Sequence, residues 1–265
     1  MPHRYTHGHH ESVLRSHTWR TAENSAGYLL PHLRPGMTLL DVGCGPGNIS
    51  IDLAGRLAPG RVLGIDTSES VVGKARAAAA EAGSHVEFVT ADLYAVDLPD
   101  DSFDVVHAHQ VLQHLPDPVA ALREMRRLAA PGGVVAVRDA DYGAMTWHPA
   151  VSALDEWMSV YQQVARGNGG EPDAGRHLLG WAQQAGFDQV TPSASVWCFG
   201  TDEDRRWWGG MWADRILQSA IAEQAIARGI TDQQGLQRIS DGWRDWVARP
   251  DGWFAVLHGE VLCRG

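Results

Sequence analysis

The chain has 265 residues, 44% of them hydrophobic, and a formal net charge of −10 from 32 acidic against 22 basic residues. That length gives one α/β domain with a well-buried core, or such a domain carrying a large insertion. The acidic balance repels a phosphate backbone, which argues against a nucleic-acid partner. No apolar run reaches the ~18 residues of a membrane span, and the first residues lack an apolar signal region. Cys44, Cys198 and Cys263 lie far apart without metal-ligand spacing. The expectation is a cytoplasmic chain with reduced thiols, no membrane span and no metal.

From Met37 short apolar runs alternate with helical stretches. "TLLDV" (38–42) reads as a buried strand, followed by a helix over 48–57. "RVLGID" (61–66) is a second strand, and 68–83 is an alanine-rich helix capped by Thr67 or Ser68 and ended by Gly83. "HVEFVT" (85–90) and "FDVVHA" (103–108) are the third and fourth strands. Asp117-Pro118 opens a helix that runs to about Leu128, and "GGVVAVRDA" (132–140) is the fifth strand. A helix over 175–187, a strand over 189–199 and a last strand over 253–263 complete the pattern. Between the last two strands lie mostly helical residues. Trp208, Trp212, Ile216 and Ala220 fall four apart, and Leu236, Ile239, Trp243, Trp246 and Val247 form a second stripe opened by a Thr231–Gln234 capping box.

Strands alternating with helices imply parallel pairing and right-handed crossovers, hence an α/β, doubly wound, mostly parallel sheet. Ligands in such sheets bind at the carboxyl ends of the strands, where "LLDVGCGPGNISIDL" (39–53) places a glycine loop. A dinucleotide fingerprint would put its third glycine at position 48; here Gly43, Gly45 and Gly47 give D-x-G-x-G-x-G. The carboxylate of Asp41 would repel a pyrophosphate and attract an ammonium or a sulfonium. S-adenosylmethionine carries both cations. Asp66, at the end of the second strand and followed by Thr67, is placed to accept from both ribose hydroxyls. Asp92 is placed to accept from the adenine amino group while the Leu93 amide donates to a ring nitrogen.

The segments "LLDVGCGPG", "VLGIDTS", "FVTADLYAVDLPDDSFDVV", "VLQHLPDP" and "LREMRRLAAPGGVVAV" resemble the class I methyltransferases that use S-adenosylmethionine. The likeness is to the branch similar to the ubiquinone and menaquinone biosynthesis C-methyltransferases, over about residues 37–140. It implies a Rossmann-like, seven-stranded sheet with the last strand antiparallel. It also implies substrate choice in the N-terminal segment and the helical insertion. Gln113 stands where the family often has a second histidine, and His114 is kept. The N/D-P-P-Y motif of enzymes that methylate nucleobase or glutamine amino groups is replaced by "HAHQ" (107–110).

The expected organisation is an N-terminal helical segment (1–36, helical over 9–32) above the cofactor, a methyltransferase core (37–200 and 251–265) and a helical lid (201–250). Methyl transfer needs a base only where the acceptor must lose a proton. His107 and His109 are read as sitting just after the fourth strand with one of them facing the site, and His109 is the candidate base. His114 reads as a hydrogen-bonding residue at a helix start. On the N-terminal helix, Arg20 is the candidate partner of the methionine carboxylate, and His10 a second candidate at the acceptor. Five histidines fall by position 17, but no Cys or carboxylate cluster completes a zinc set. Trp208, Trp212, Trp243 and Trp246 read as core, with at least one of them roofing the acceptor.

The expected reaction is methyl transfer to a small aromatic or apolar acceptor, with a homodimer expected on base rates. The alternatives are methylation of a quinone-type ring carbon, a nicotinamide-dependent oxidoreductase, or a non-catalytic cofactor-binding regulator.

Overall fold

The computed structural model describes residues 19–265. One sheet contains β1 (Leu39–Val42), β2 (Val62–Asp66), β3 (Glu87–Thr90), β4 (Phe103–His109), β5 (Ala129–Ala140), β6 (Thr146–His148), β7 (Gln189–Phe199) and β8 (Trp253–Arg264). Strands β3-β2-β1-β4-β5 are parallel, and β8 runs antiparallel to both β5 and β7. The seven expected strands are present. The eighth, three-residue β6, pairs with the start of β8 on the side that β5 occupies further along.

The helices are α1 (Ala22–Ala26), α2 (Asn48–Leu57), α3 (Glu69–Glu81), α4 (Pro118–Leu128), α5 (Ser152–Gly167), α6 (Leu178–Gln184), α7 (Asp202–Gln218), α8 (Ala220–Ala227) and α9 (Gln233–Val247). Asp117 caps α4 by accepting from the Ala120 amide at 2.9 Å. At α9 the cap is Asp232, which accepts from the Gly235 amide at 2.7 Å, one residue past the expected Thr231. A carboxylate is the better acceptor for an exposed helix N–H. Within the expected 9–32 helix, the described part holds only five-residue α1 and a 3-10 turn at Leu30–His32; residues 1–18 lie outside the described residues.

Helices cover both faces of β1, β2, β4 and β5, so those strands are mostly apolar, whereas edge strand β3 buries only Phe88. Leu39, Val105 and Ala136 face α1–α3, whereas Leu40, Val106 and Val135 face α4 and α6. A third core is indole-rich. Trp157 of α5 meets Trp212 and Trp243 edge-on at 4.7 and 5.0 Å, and Trp157 and Trp243 also pack with Phe254 of β8. The helical cap is therefore wider than the 201–250 segment, because α5 joins α8 and α9. Its stripe Leu154, Trp157, Tyr161 and Val164 has ordinary helical spacing. No helix among the described residues is long and apolar enough to cross a membrane.

Two features of the sheet yield stability predictions. Gly259 of β8 lies so close to Gly175 that a Cβ on it would sit 2.0 Å from the Gly175 carbonyl oxygen. Backbone cannot swing aside as a side-chain tip can, so Gly259→Ala is expected to cost about 3 kcal/mol or more, read by urea unfolding. Asp139 of β5 is fully buried, and burial pushes its carboxyl up to about 7. The unfolded chain releases that proton at ordinary carboxylate pH while the folded chain keeps it. This group's contribution to stability is thus lost as pH rises from about 4 to about 7. Asp139→Asn is expected to raise stability at pH ~8 by about 2 kcal/mol, with a smaller gain at pH ~5, read as paired melting curves.

Candidate active site

The loop after β1 turns three times through left-handed backbone, at Gly43 (φ 65°), Gly45 (φ 56°) and Gly47 (φ 88°). At Gly43 glycine is required twice over, since a Cβ there would also lie 2.5 Å from Val111 Cγ2. The loop is pinned to the neighbouring strand: Cys44 N donates to the Ile65 carbonyl at 3.0 Å, and Gly45 N to Asp66 Oδ2 at 3.2 Å. Gly43 and Gly45 line a cavity of about 1750 Å³, counted with its open mouth. Gly47 does not; it caps α2 and backs onto Phe88 and Ala75.

Three carboxylates line the same end of the cavity. Asp41 is 3% exposed, and both its oxygens are engaged, by the Ser50 hydroxyl at 2.5 Å and by His107 Nδ1 at 2.8 Å. Its charge therefore acts from behind the glycine loop rather than by open contact. Asp66 stands at the tip of β2 and accepts from Gly45 N and, at 3.0 Å, from Ser68 N. A carboxylate has about four acceptor sites, so two remain. Asp92 follows β3, accepts from the Tyr94 amide and lines the cavity beside Leu93. Thr67, Ile65 and Val71 complete this wall.

His107 and His109 belong to β4 itself, two residues apart and hence on one face. Depth rather than alternation separates them. His107 is buried against Asp41, and His109 lines the cavity at the strand tip. His109 is 5% exposed, and among the described residues neither ring nitrogen has a hydrogen-bond partner. Burial holds its pKa well below the usual imidazole value, and the nearby Arg20 and Arg138 push it the same way. His114 also lines the cavity, on a 3-10 turn.

Arg20 lines the cavity and donates to Gln110 Oε1 at 2.6 Å. With its oxygen so engaged, the Gln110 amide turns its N–H to His258 Nε2 at 2.9 Å. His10 lies outside the described residues. Sequence reasoning missed Gln110, which joins the N-terminal segment to β8; no local pattern announces such a bridge.

The rest of the lining is largely aromatic: Trp197 of β7, which meets the His109 ring at 5.7 Å, Trp207, Trp208 and Trp212 of α7, and Tyr142, together with Met145 and Val256. Trp208 and Trp212 are thus both core and cavity wall, while Trp243 and Trp246 are core only. Trp197, Trp207, Tyr142 and Arg215 were not anticipated. Trp207 adjoins Trp208, and Arg215 falls one turn beyond Trp212, so the α7 stripe carried the signal for both.

The residues fit S-adenosylmethionine. A side-chain-free loop and the first residues of α2 offer backbone N–H groups. Two carboxylates at successive strand tips suit ribose hydroxyls and an adenine amino group, and the net negative end suits a sulfonium. Among the described residues no group of His, Cys, Asp and Glu is placed to hold a metal ion.

Comparison with known proteins agrees. A family profile described as a methyltransferase domain matches residues 33–192. An uncharacterized methyltransferase of Schizosaccharomyces pombe is 34% identical over 97% of this chain and 95% of its own. A probable methyltransferase of Aspergillus luteorubrus is 30% identical over 97% of this chain and 96% of its own. The crystal structure of the YcgJ protein of Bacillus subtilis superposes with a TM-score of 0.56 at 20% identity, covering 91% of this chain and 98% of that one, which shows the shared fold. The chain belongs to the class I methyltransferases, enzymes that take their methyl group from S-adenosylmethionine.

Proposed function

We propose that this enzyme methylates a hydroxyl oxygen of a small planar acceptor held between the tip of β4 and the tryptophan wall, with His109 taking the hydroxyl proton. The observation that carries this reading is a neutral imidazole, both nitrogens without partners among the described residues, lining the same cavity as four indoles, one of which, Trp197, lies 5.7 Å from it ring to ring. Bound S-adenosylmethionine supplies a methyl group on a positively charged sulfur, open to in-line displacement.

The chain's own residues would do three things. Asp66, Asp92 and the Gly43–Gly45 backbone would fix the donor, and the indoles would fix the acceptor's flat face. Such positioning is worth roughly 7–11 kcal/mol when the reacting atoms are well aligned. The aromatic wall would also exclude water from the nucleophile. His109 would accept the proton. A depressed pKa weakens a base, but the same arginine charges that depress it also favour the acceptor's oxyanion. Burial, the larger cause, still weakens the base, and the arginines offset part of that loss.

Incubation with the cofactor and a panel of planar phenols and quinols, read by a mass gain of one methyl group and by NMR, tests the reading. An O-methyl signal on at least one phenol is the expected result. Methyl on a ring carbon alone would favour the quinone-type reaction instead and overturn the oxygen assignment.

A further inference from the structure

The register of β4, β5, β8 and β7 draws one row of polar side chains across the sheet. His109 stands opposite Arg138, Arg138 opposite Glu260, and Glu260 opposite Ser193. Directly paired residues share a face of the sheet, with neighbouring strands about 4.8 Å apart. Ser195 and Trp197 follow Ser193 on the same face of β7 at two-residue spacing.

Arg138 is 1% exposed and Glu260 4%. The guanidinium donates through Nε to Glu260 Oε1 at 3.1 Å, and through Nε and Nη2 to Ser195 Oγ at 3.1 and 3.0 Å. The Ser193 and Ser195 hydroxyls donate to the Glu260 carboxylate at 2.8 and 2.5 Å. So anchored, the guanidinium carbon lies 4.9 Å from the centre of the Trp197 ring, which lies 5.7 Å from the His109 ring. Trp197 and His109 line the cavity; Arg138 does not.

A buried ion pair is a poor device for stability. Taking both charges out of water is costly, and well-packed apolar residues of similar volume often do as well or better. What apolar residues cannot supply is a fixed charge. Glu260 compensates that charge incompletely at His109, because it stands one strand further away. Burial brings the Arg138 guanidinium down to about 10, so the cation persists through the neutral range.

We propose that Arg138 is a positioning residue for methyl transfer: anchored by Glu260 and Ser195, it seats the Trp197 indole and sets a fixed positive charge beside His109. This rests on the reading of His109 as the base and adds the group that keeps it ready. A cation there disfavours a proton on the free imidazole, so the ring meets the acceptor unprotonated. The groups acting on the ring are Arg20 from the N-terminal segment, Arg138 of β5 with Glu260 behind it, His258 of β8, and His107 with Asp41 behind it. Burial pushes His258 well below the usual imidazole value. Of the two arginines, Arg138 is the one the sheet itself fixes.

The test reads the His109 ring directly, by NMR titration of the protein saturated with S-adenosylhomocysteine. Arg138→Met combined with Glu260→Gln leaves neither charge buried alone. In that double variant His109 is expected to take its proton at higher pH than in wild type, by at least about half a pH unit. Arg138→Lys, which keeps the charge, is expected to stay within about 0.2 pH unit of wild type. A role in packing alone would leave the titration unmoved in both. If the double variant does not fold, Arg138→Gln decides the matter. Its amide still donates to Ser195 or Glu260, and His109 is expected to shift in the same direction and further, because Glu260 then acts uncompensated.

A titration of His109 that stays at the wild-type position in the double variant, or in Arg138→Gln, would overturn the inference. The readout needs no turnover, so the two readings fail separately. An unmoved titration alongside O-methylated product would leave the proposed function standing and remove only this inference. Cofactor binding without any O-methylated product would remove the proposed function itself.

Discussion

Asp66→Ala is expected to weaken S-adenosylhomocysteine binding at least about a hundredfold in titration calorimetry. The carboxylate does two jobs at once. It pins the glycine loop through Gly45 N and the start of α3 through Ser68 N, and its remaining acceptor sites face the cavity where a ribose would lie. Hydrogen bonds to a charged partner contribute about 1.5–3 kcal/mol each. Losing two of them gives the hundredfold, before any cost of a loosened loop. Asp66→Asn separates the jobs. Its one remaining oxygen can satisfy Gly45 or Ser68 but not both, and its amide nitrogen faces donors. An intermediate loss of about tenfold is expected. Binding by the alanine variant within about threefold of wild type would show that the ribose is held elsewhere.

The β1–β3 end of the cavity was legible in the sequence. Its parts are contiguous in sequence: a buried strand, a glycine loop, a helix, then a second strand ending on Asp66. β1 and β2 are mostly apolar runs because helices cover both faces, and such runs are visible without tertiary knowledge; edge strand β3 buries only Phe88. Asp92 and Leu93 follow from the same repeat.

What the residues do once folded was less visible. Asp41 carries the charge expected of it, but Ser50 and His107 claim both of its oxygens. Those partners lie nine and sixty-six positions away in the chain, beyond any motif. Gly47 shares the motif with Gly43 and Gly45 yet turns its back on the cavity, because it caps α2 and packs under Phe88.

The acceptor half was legible only as composition. Ten of eleven tryptophans follow residue 146, but which indoles reach the cavity depends on how α7 meets β7. Trp197 and Trp208 lie eleven residues apart and share one wall, while Trp243 and Trp246, on an equally regular stripe, stay in the core. A helical stripe says that a face is buried; it does not say against what. Arg215 illustrates the same limit, since a charge on a helix is ordinarily solvated and only the packing buries this one.

His109→Gln is expected to lower kcat by about 10²–10⁴-fold while leaving the affinity for S-adenosylhomocysteine within about threefold. Glutamine keeps much of the volume and a hydrogen-bonding end, so the cavity stays filled; it cannot take a proton. A histidine that only packed against the cofactor would give the opposite pattern, with affinity lost and kcat nearly kept. The pH profile gives a second reading. Burial first, then Arg20 and Arg138, hold the His109 pKa well below the usual imidazole value. The imidazole is therefore neutral, and competent as a base, at and above about pH 6.5. The acid limb of wild-type kcat/KM is expected to lie below that pH and to vanish in His109→Gln. A limb centred between about pH 7 and 8 would contradict the assignment. Acceptor acidity supplies the sharpest discrimination. A phenol already ionised at the assay pH needs no base, so the gap between wild type and His109→Gln should narrow steadily as the acceptor's own pKa falls. A gap that stayed constant across such a series would assign His109 to holding the acceptor rather than to moving its proton.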